Sequence, residues 1–177
     1  MLIAGPTASG KSALALDLAE RLKNEGRKGV IVNADSAQVY ADLQVLSARP
    51  SADEMAQAEH RLYGAWDGSQ ACSAAQWAEA AKREIADIHA HGDVPILVGG
   101  TGLYFRSLLK GLAPVPPISK EVRERAAALH AEVGAAEFHR LLAARDPTGA
   151  ARIHPANTQR VLRAYEVFET TGKTLAE

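Results

Sequence analysis

Met1-Leu2-Ile3-Ala4-Gly5-Pro6-Thr7-Ala8-Ser9-Gly10-Lys11-Ser12-Ala13-Leu14-Ala15-Leu16 opens the chain, and its reading decides the fold. Gly5–Ser12 is a G-x-x-x-x-G-K-S phosphate-binding loop. The apolar run Met1–Ala4 before it predicts a buried strand. The run Ser12–Leu22 after it predicts a helix, with Leu14, Leu18 and Leu22 repeating every four residues. Glycine is needed where backbone amides approach an anion with no Cβ in the way. The loop amides and the helix N-terminus present partial positive charge to phosphate. Lys11 adds a full charge, and the Ser12 hydroxyl is placed to hold Mg²⁺.

Working outward, Val30-Ile31-Val32 predicts a second buried strand, ending in Asn33-Ala34-Asp35-Ser36-Ala37-Gln38. Ser51 with Glu54 predicts a capped helix through His60, and Arg61–Trp66 a short strand or an extended link. Ser73-Ala74-Ala75-Gln76 is a capping box opening a helix to about His91. Val94–Val98 predicts a third strand, with Pro95 near its start where no ladder donor is needed. Gly99-Gly100-Thr101-Gly102 follows, then a helix over Leu103–Leu109. Ala113-Pro114-Val115-Pro116-Pro117 is a stiff connector. Helices are predicted beyond it over Ser119–Val133, Ala135–Arg145 and Asn157–Thr171.

Strands alternating with helices imply an α/β fold: a P-loop parallel sheet flanked by helices, with a helical lobe inserted after the third main strand. The expected division is a core over 1–112, a connector over 113–118, a helical lobe over 119–156 and a helix over 157–177 returning toward the core. Three strands are thin for a free-standing sheet. The expectation is therefore that sequence beyond Glu177 completes it.

Composition narrows the class. The chain has 177 residues, 47% hydrophobic and 23% charged, ordinary for a globular protein. Cys72 is the one cysteine, so neither an internal disulfide nor a thiolate zinc cluster is available. No apolar run approaches spanning length, so no membrane is expected and the cytoplasm is the expected compartment. Net charge is −1, which removes a global field for nucleic acid; RNA contact must come from local patches. The six histidines show no metal-ligand spacing.

Ligands of an open parallel sheet bind at the carboxyl ends of its strands. Gly5–Ser12, Asp35–Gln38 and Gly99–Gly102 each follow a strand, so polarity places all three on one edge. Asp35 taken alone equally caps a turn, but its position after a strand beside a phosphate loop favours holding a metal through water or acting as general base. Thr101 is either a ligand-facing group or a helix cap. The third strand ends in Gly99 where many NTPases carry a metal-binding Asp, which points away from a motor-type ATPase. Gln159 and Arg163 share a helical face that suits RNA, or simply solvent, while Val161, Tyr165 and Phe168 face a core. Taken alone, the phosphate loop also fits ATP and a small-molecule kinase, or a non-catalytic nucleotide- and RNA-binding module.

Several stretches together closely resemble the tRNA dimethylallyltransferase family. They are Gly5–Ser12, Asn33-Ala34-Asp35-Ser36-Ala37-Gln38-Val39-Tyr40, Val98-Gly99-Gly100-Thr101-Gly102-Leu103-Tyr104, Ala151-Arg152-Ile153-His154-Pro155-Ala156-Asn157, Gln159-Arg160-Val161-Leu162-Arg163-Ala164 and Gly172-Lys173-Thr174-Leu175. The likeness runs in order from Met1 to Glu177. It implies transfer of a dimethylallyl group from dimethylallyl diphosphate to the exocyclic amine of an adenine beside the tRNA anticodon. By that resemblance Gly5, Pro6, Thr7, Ala8, Ser9, Gly10, Lys11 and Ser12 bind the diphosphate, with Mg²⁺ at Ser12. Asp35 takes the amine proton and Lys11 assists departure of the diphosphate. Asp35, Ser36, Ala37, Gln38, Thr101, Arg123, Gln159, Arg160, Val161, Leu162 and Arg163 contact tRNA, and the helical lobe grips the anticodon stem. A monomer is expected. The stretch Leu43-Gln44-Val45-Leu46-Ser47-Ala48-Arg49-Pro50 departs from the family's usual Ile-Gly-Thr before Ala-Lys-Pro, and family members continue well past the position of Glu177.

Overall fold

The computed structural model describes residues 1–112 and 117–174. Most of the Pro-rich connector, residues 113–116, and Leu175 lie outside them. The chain divides into two compact units, Met1–Leu112 and Ala113–Glu177.

In the first unit the order is β1 (Leu2–Ala4), α1 (Lys11–Asn24), β2 (Gly29–Asn33), α2 (Ala52–Gln57), β3 (Glu59–Arg61), α3 (Ala74–Ala90), β4 (Val94–Gly99) and α4 (Gly102–Lys110). Among the described residues the four strands form one parallel sheet ordered β1-β4-β2-β3. Strands β2 and β4 are buried throughout, as expected of a sheet covered on both faces. Alternate side chains serve opposite faces. Val30, Val32 and Leu97 join Trp77, Ala81 and Ile88 of α3 on one side. Ile31, Ile96 and Val98 join Ala15, Ala19 and Leu22 of α1 on the other.

Three local expectations change. The inward residues of α1 are Ala15, Ala19 and Leu22, while Leu14 is half exposed. Close approach explains the alanine: a Cβ on Gly29 would lie 2.9 Å from the Ala19 Cα, so only a small residue fits where Ala19 meets Gly29. Strand β1 is not buried. It pairs only with β4 among the described strands, and Leu2 is 48% exposed. A fourth strand, β3, also joins the sheet. Helix α2 stops at Gln57, and Glu59-His60-Arg61 pairs with Val30–Val32, earlier than the predicted strand. The capping boxes at Ser51–Glu54 and Ser73–Gln76 both form.

Pro95 sits second in β4, and its carbonyl accepts from the Met1 ammonium at 2.7 Å. At the other end of β4, a Cβ on Gly99 would lie 2.0 Å from the Ala34 carbonyl oxygen. Only glycine lets the ends of β2 and β4 come that close.

The second unit holds α5 (Lys120–Val133), α6 (Ala135–Arg145), α7 (Pro147–Ala150) and α8 (Thr158–Thr171). Phe138, Leu142, Ala126, Val161, Ala164 and Tyr165 build its core. Buried Asp146 caps α7 by accepting from the Gly149 amide at 2.7 Å, and Asn157 caps α8 by accepting from Arg160 N at 3.2 Å. Helix α8 thus packs with α5 and α6 within this unit.

Candidate active site

The phosphate loop links the end of β1 to the start of α1. Gly10, at φ 81°, occupies the left-handed region and turns the chain into the helix. Ala8 also takes a positive φ of 61°. The amides of Thr7, Ala8, Ser9 and Gly10 donate to no other group among the described residues. Together with the open first turn of α1 they form a row of free donors, the usual anion site at a helix start. The Lys11 side chain folds over the loop, and its ammonium donates to the Pro6 carbonyl. Ser12 is exposed in the first turn of α1.

The loop after β2 is fixed by Asn33, a fully buried polar residue. Its amide nitrogen donates to the Asp35 and Leu62 carbonyls, each at 3.1 Å, and its oxygen accepts from Asp35 N at 2.9 Å. The Trp77 indole donates to the Asn33 carbonyl at 2.9 Å. Every polar group of Asn33 is thereby satisfied in the interior, as a buried amide requires. Asp35 Oδ1 accepts from Ala37 N at 2.9 Å, an Asx-turn. The point where a Gly100 Cβ would sit lies 3.6 Å from Asp35 Oδ2 and 3.3 Å from the Gly5 carbonyl. The carboxylate, the phosphate loop and the Gly99–Gly102 turn therefore meet, although they lie far apart in sequence.

Thr101 occupies the N-cap of α4 but makes no cap hydrogen bond with its side chain. Its hydroxyl accepts from Ser36 N at 2.9 Å and donates to Ser36 Oγ at 3.2 Å. It ties the second loop to the third. Two phenols border the same region. Burial, then the Asp35 charge, pushes the Tyr63 hydroxyl well above its usual range. Burial, then the Cys72 contact, does the same for Tyr104, with Asp35 adding a smaller push. Both rings stay neutral beside the carboxylate.

The remaining residues singled out from sequence are placed less uniformly. Gln38 is half-buried, its amide donating to the Ser47 and Ala48 carbonyls, each at 3.0 Å. Gln159 and Arg160 are exposed on α8, and Arg163 pairs with Glu166 at 3.7 Å. The Val161 side chain is buried in the helical core and Leu162 packs against that core, so Val161 offers RNA no side chain. This corrects its expected place among the contacts; its spacing with Tyr165 already marked it as core-facing. Arg125 of α5 pairs with Glu169, near the C-terminal end of α8, at 3.6 Å. Arg123, two residues before Arg125, therefore lies near the Glu169 end of α8, which is roughly 9–15 Å along the helix axis from Gln159–Arg163. Sequence reasoning missed Asn33 as the residue that seats Asp35. The available signal was a polar side chain closing an otherwise apolar strand.

A parallel sheet, a G-x-x-x-x-G-K-S turn with free amides and a carboxylate at its rim define a P-loop α/β protein. Comparison with known proteins narrows this. The family model described as IPP transferase matches residues 38–177, and the chain belongs to that family. The tRNA dimethylallyltransferases of Erythrobacter litoralis and Sphingopyxis alaskensis are 57% and 59% identical to it over 175 residues, each match covering 99% of this chain. Those matches cover 54% and 55% of the relatives, so the chain spans about half their length. Among solved structures, a eukaryotic dimethylallyltransferase acting on tRNA is 27% identical with a TM-score of 0.78, over 99% of this chain and 42% of that one. The tRNA isopentenylpyrophosphate transferase of Bacillus halodurans is 36% identical with a TM-score of 0.59, over 97% and 55%.

Proposed function

We propose that this protein transfers the dimethylallyl group of dimethylallyl diphosphate to the exocyclic amine of an adenine beside the tRNA anticodon. The observation that carries the reading is the meeting of Gly5, Asp35 and the Gly100 turn at one point. The relatives' names give tRNA and a prenyl donor, the resemblance of the sequence motifs points to the adenine, and this chemistry suits the site. The free amides of the Thr7–Gly10 turn, with Lys11, hold the diphosphate and stabilise the charge it gains on leaving. The amine nitrogen forms a bond to the allylic carbon as that carbon's bond to the diphosphate oxygen breaks. Asp35 takes the amine proton, a role that in general contributes about 10²–10⁴-fold. The target base must leave its stack to reach the carboxylate. Arg123, Gln159, Arg160 and Arg163 contact the RNA backbone and base edges, and Thr101 holds the Ser36 loop in place for it.

Mg²⁺ fits the donor set. Among the described residues no group of three or more His, Cys, Asp or Glu could cage a metal. The donors left are the Ser12 hydroxyl, substrate oxygens and water, which is how this ion is commonly held beside phosphates. When bound, Mg²⁺ supplies charge neutralisation on the diphosphate.

Incubating the intact protein with labelled dimethylallyl diphosphate and tRNA tests the reading. Label is expected on the adenine, and none on free nucleotides. Asp35→Asn is expected to cut turnover at least about a hundredfold with diphosphate affinity retained. Undiminished turnover in that variant removes Asp35 from the chemistry. Phosphoryl transfer from ATP to a small hydroxyl compound would favour a kinase instead.

A further inference from the structure

Val45 and Leu46 are the most exposed large apolar side chains among the described residues, at 90% and 88%. Exposed aliphatic residues are common singly. Here two adjacent ones cap a turn that the fold holds firmly. The turn closes by a Schellman pattern, with Ala48 at φ 49°, Arg49 N donating to the Gln44 carbonyl and Ala48 N to the Val45 carbonyl, each at 3.1 Å. Gln38, in the loop that begins at Asp35, fixes it from below through the Ser47 and Ala48 carbonyls. Arg49 locks its base, donating to the Tyr40 carbonyl at 3.2 Å and to Gln44 Oε1 at 3.2 Å. Gly64 makes room for that guanidinium, since a Cβ there would lie 2.0 Å from Arg49 Nη1. Its Nη groups meet only neutral acceptors, the Tyr40, Ala41 and Gln44 oxygens, and no carboxylate pairs with Arg49 among the described residues, so its charge is not neutralised there.

An apolar tip above an unpaired cation, tethered to the Asp35 loop, matches nucleic acid: a base face for the aliphatic groups, a phosphate for the arginine. We propose that Val45 and Leu46 are a wedge that packs against a loop base of the RNA, next to the adenine that is drawn out. Apolar wedges of this kind hold open steps between bases. The wedge stabilises the gap that the departing adenine leaves, so that Asp35 meets an extruded base. This rests on the RNA-modifying reading above.

The test uses the intact protein and an anticodon stem-loop RNA with 2-aminopurine beside the target adenine. Wild type is expected to bind it with a rise in fluorescence as the neighbour unstacks. Val45→Ser combined with Leu46→Ser is expected to weaken RNA binding about tenfold, to abolish most of the fluorescence rise, and to leave dimethylallyl diphosphate affinity unchanged. Both positions are exposed, so the variant is expected to melt with wild type. RNA affinity and fluorescence within twofold of wild type overturn the wedge while leaving the prenyl-transfer reading intact. A lowered melting temperature with unaltered RNA affinity also overturns it, and means that another part of the protein covers the tip. Failure of the wild-type protein to bind the RNA sinks both readings.

Discussion

Asn33 shows how one side chain sets the position of another. It makes three hydrogen bonds with its amide group and none of them reaches solvent. Asp35 owes its aim to that framework and to its own bond with Ala37 N. Asn33→Ala strips the Leu62 and Asp35 carbonyls of a donor in a buried setting. The expected loss of stability is about 2 kcal/mol, measured by urea unfolding. Turnover is expected to fall more steeply than diphosphate affinity, because the phosphate loop lies outside the Asn33 bonds. Asp35 itself was legible in the sequence as the acid after a strand. Asn33 was not legible in that role, because nothing in a linear text says which polar residue the fold will bury. Val161 illustrates the converse: its motif suggested RNA, and its helical spacing correctly placed it in the core.

Strands and helices were legible to different degrees. The capped helices α2 and α3 announced themselves through Ser-x-x-Glu and Ser-x-x-Gln, and β2 and β4 through unbroken apolar runs. Strand β3 carried no such signal, because Glu59-His60-Arg61 has no apolar residue. Charge pairing holds it instead. Arg61 donates to Glu59 at 2.7 Å, to Glu84 at 2.9 Å and to Asp87 at 2.6 Å, and Lys28 reaches Glu59 at 2.5 Å. The Lys28 contact, then Arg61, holds the Glu59 carboxyl below its usual range, and Arg61 does the same for Asp87. A carboxyl lowered on folding adds stability that is complete above its unfolded pKa and vanishes as pH falls through the folded value. Wild type should therefore lose stability below about pH 4. Arg61→Ala should cost about 1 kcal/mol at neutral pH and flatten that acid slope, because these groups are partly exposed. Thermal melts from pH 3 to pH 7 on both proteins check the difference.

At the scale of the molecule, charge is the constraint on RNA contact. With a net charge of −1, the 177-residue chain carries no global cationic field, and the RNA contacts proposed above come down to a few arginines. Four phosphate contacts, from Arg49, Arg123, Arg160 and Arg163, would give log K against log salt a slope of about −3 to −4. Filter binding of the stem-loop from 50 to 300 mM salt measures it. A slope steeper than about −5 would require a basic surface beyond these residues. The α/β class followed from the alternation of strands and helices, and the meeting of three loops at one sheet edge from strand polarity. The exposure of β1 did not, because an apolar run reads alike at the centre and at the border of a sheet. That border has a practical outcome. Among the described residues, strand β1 pairs on one side only and leaves a row of main-chain donors and acceptors without a ladder partner beside the half-exposed Leu2, a template on which a second molecule can zip. Concentrated solutions of this 177-residue chain are expected to self-associate edge to edge, and a lysine in place of Leu2 is expected to keep them dispersed.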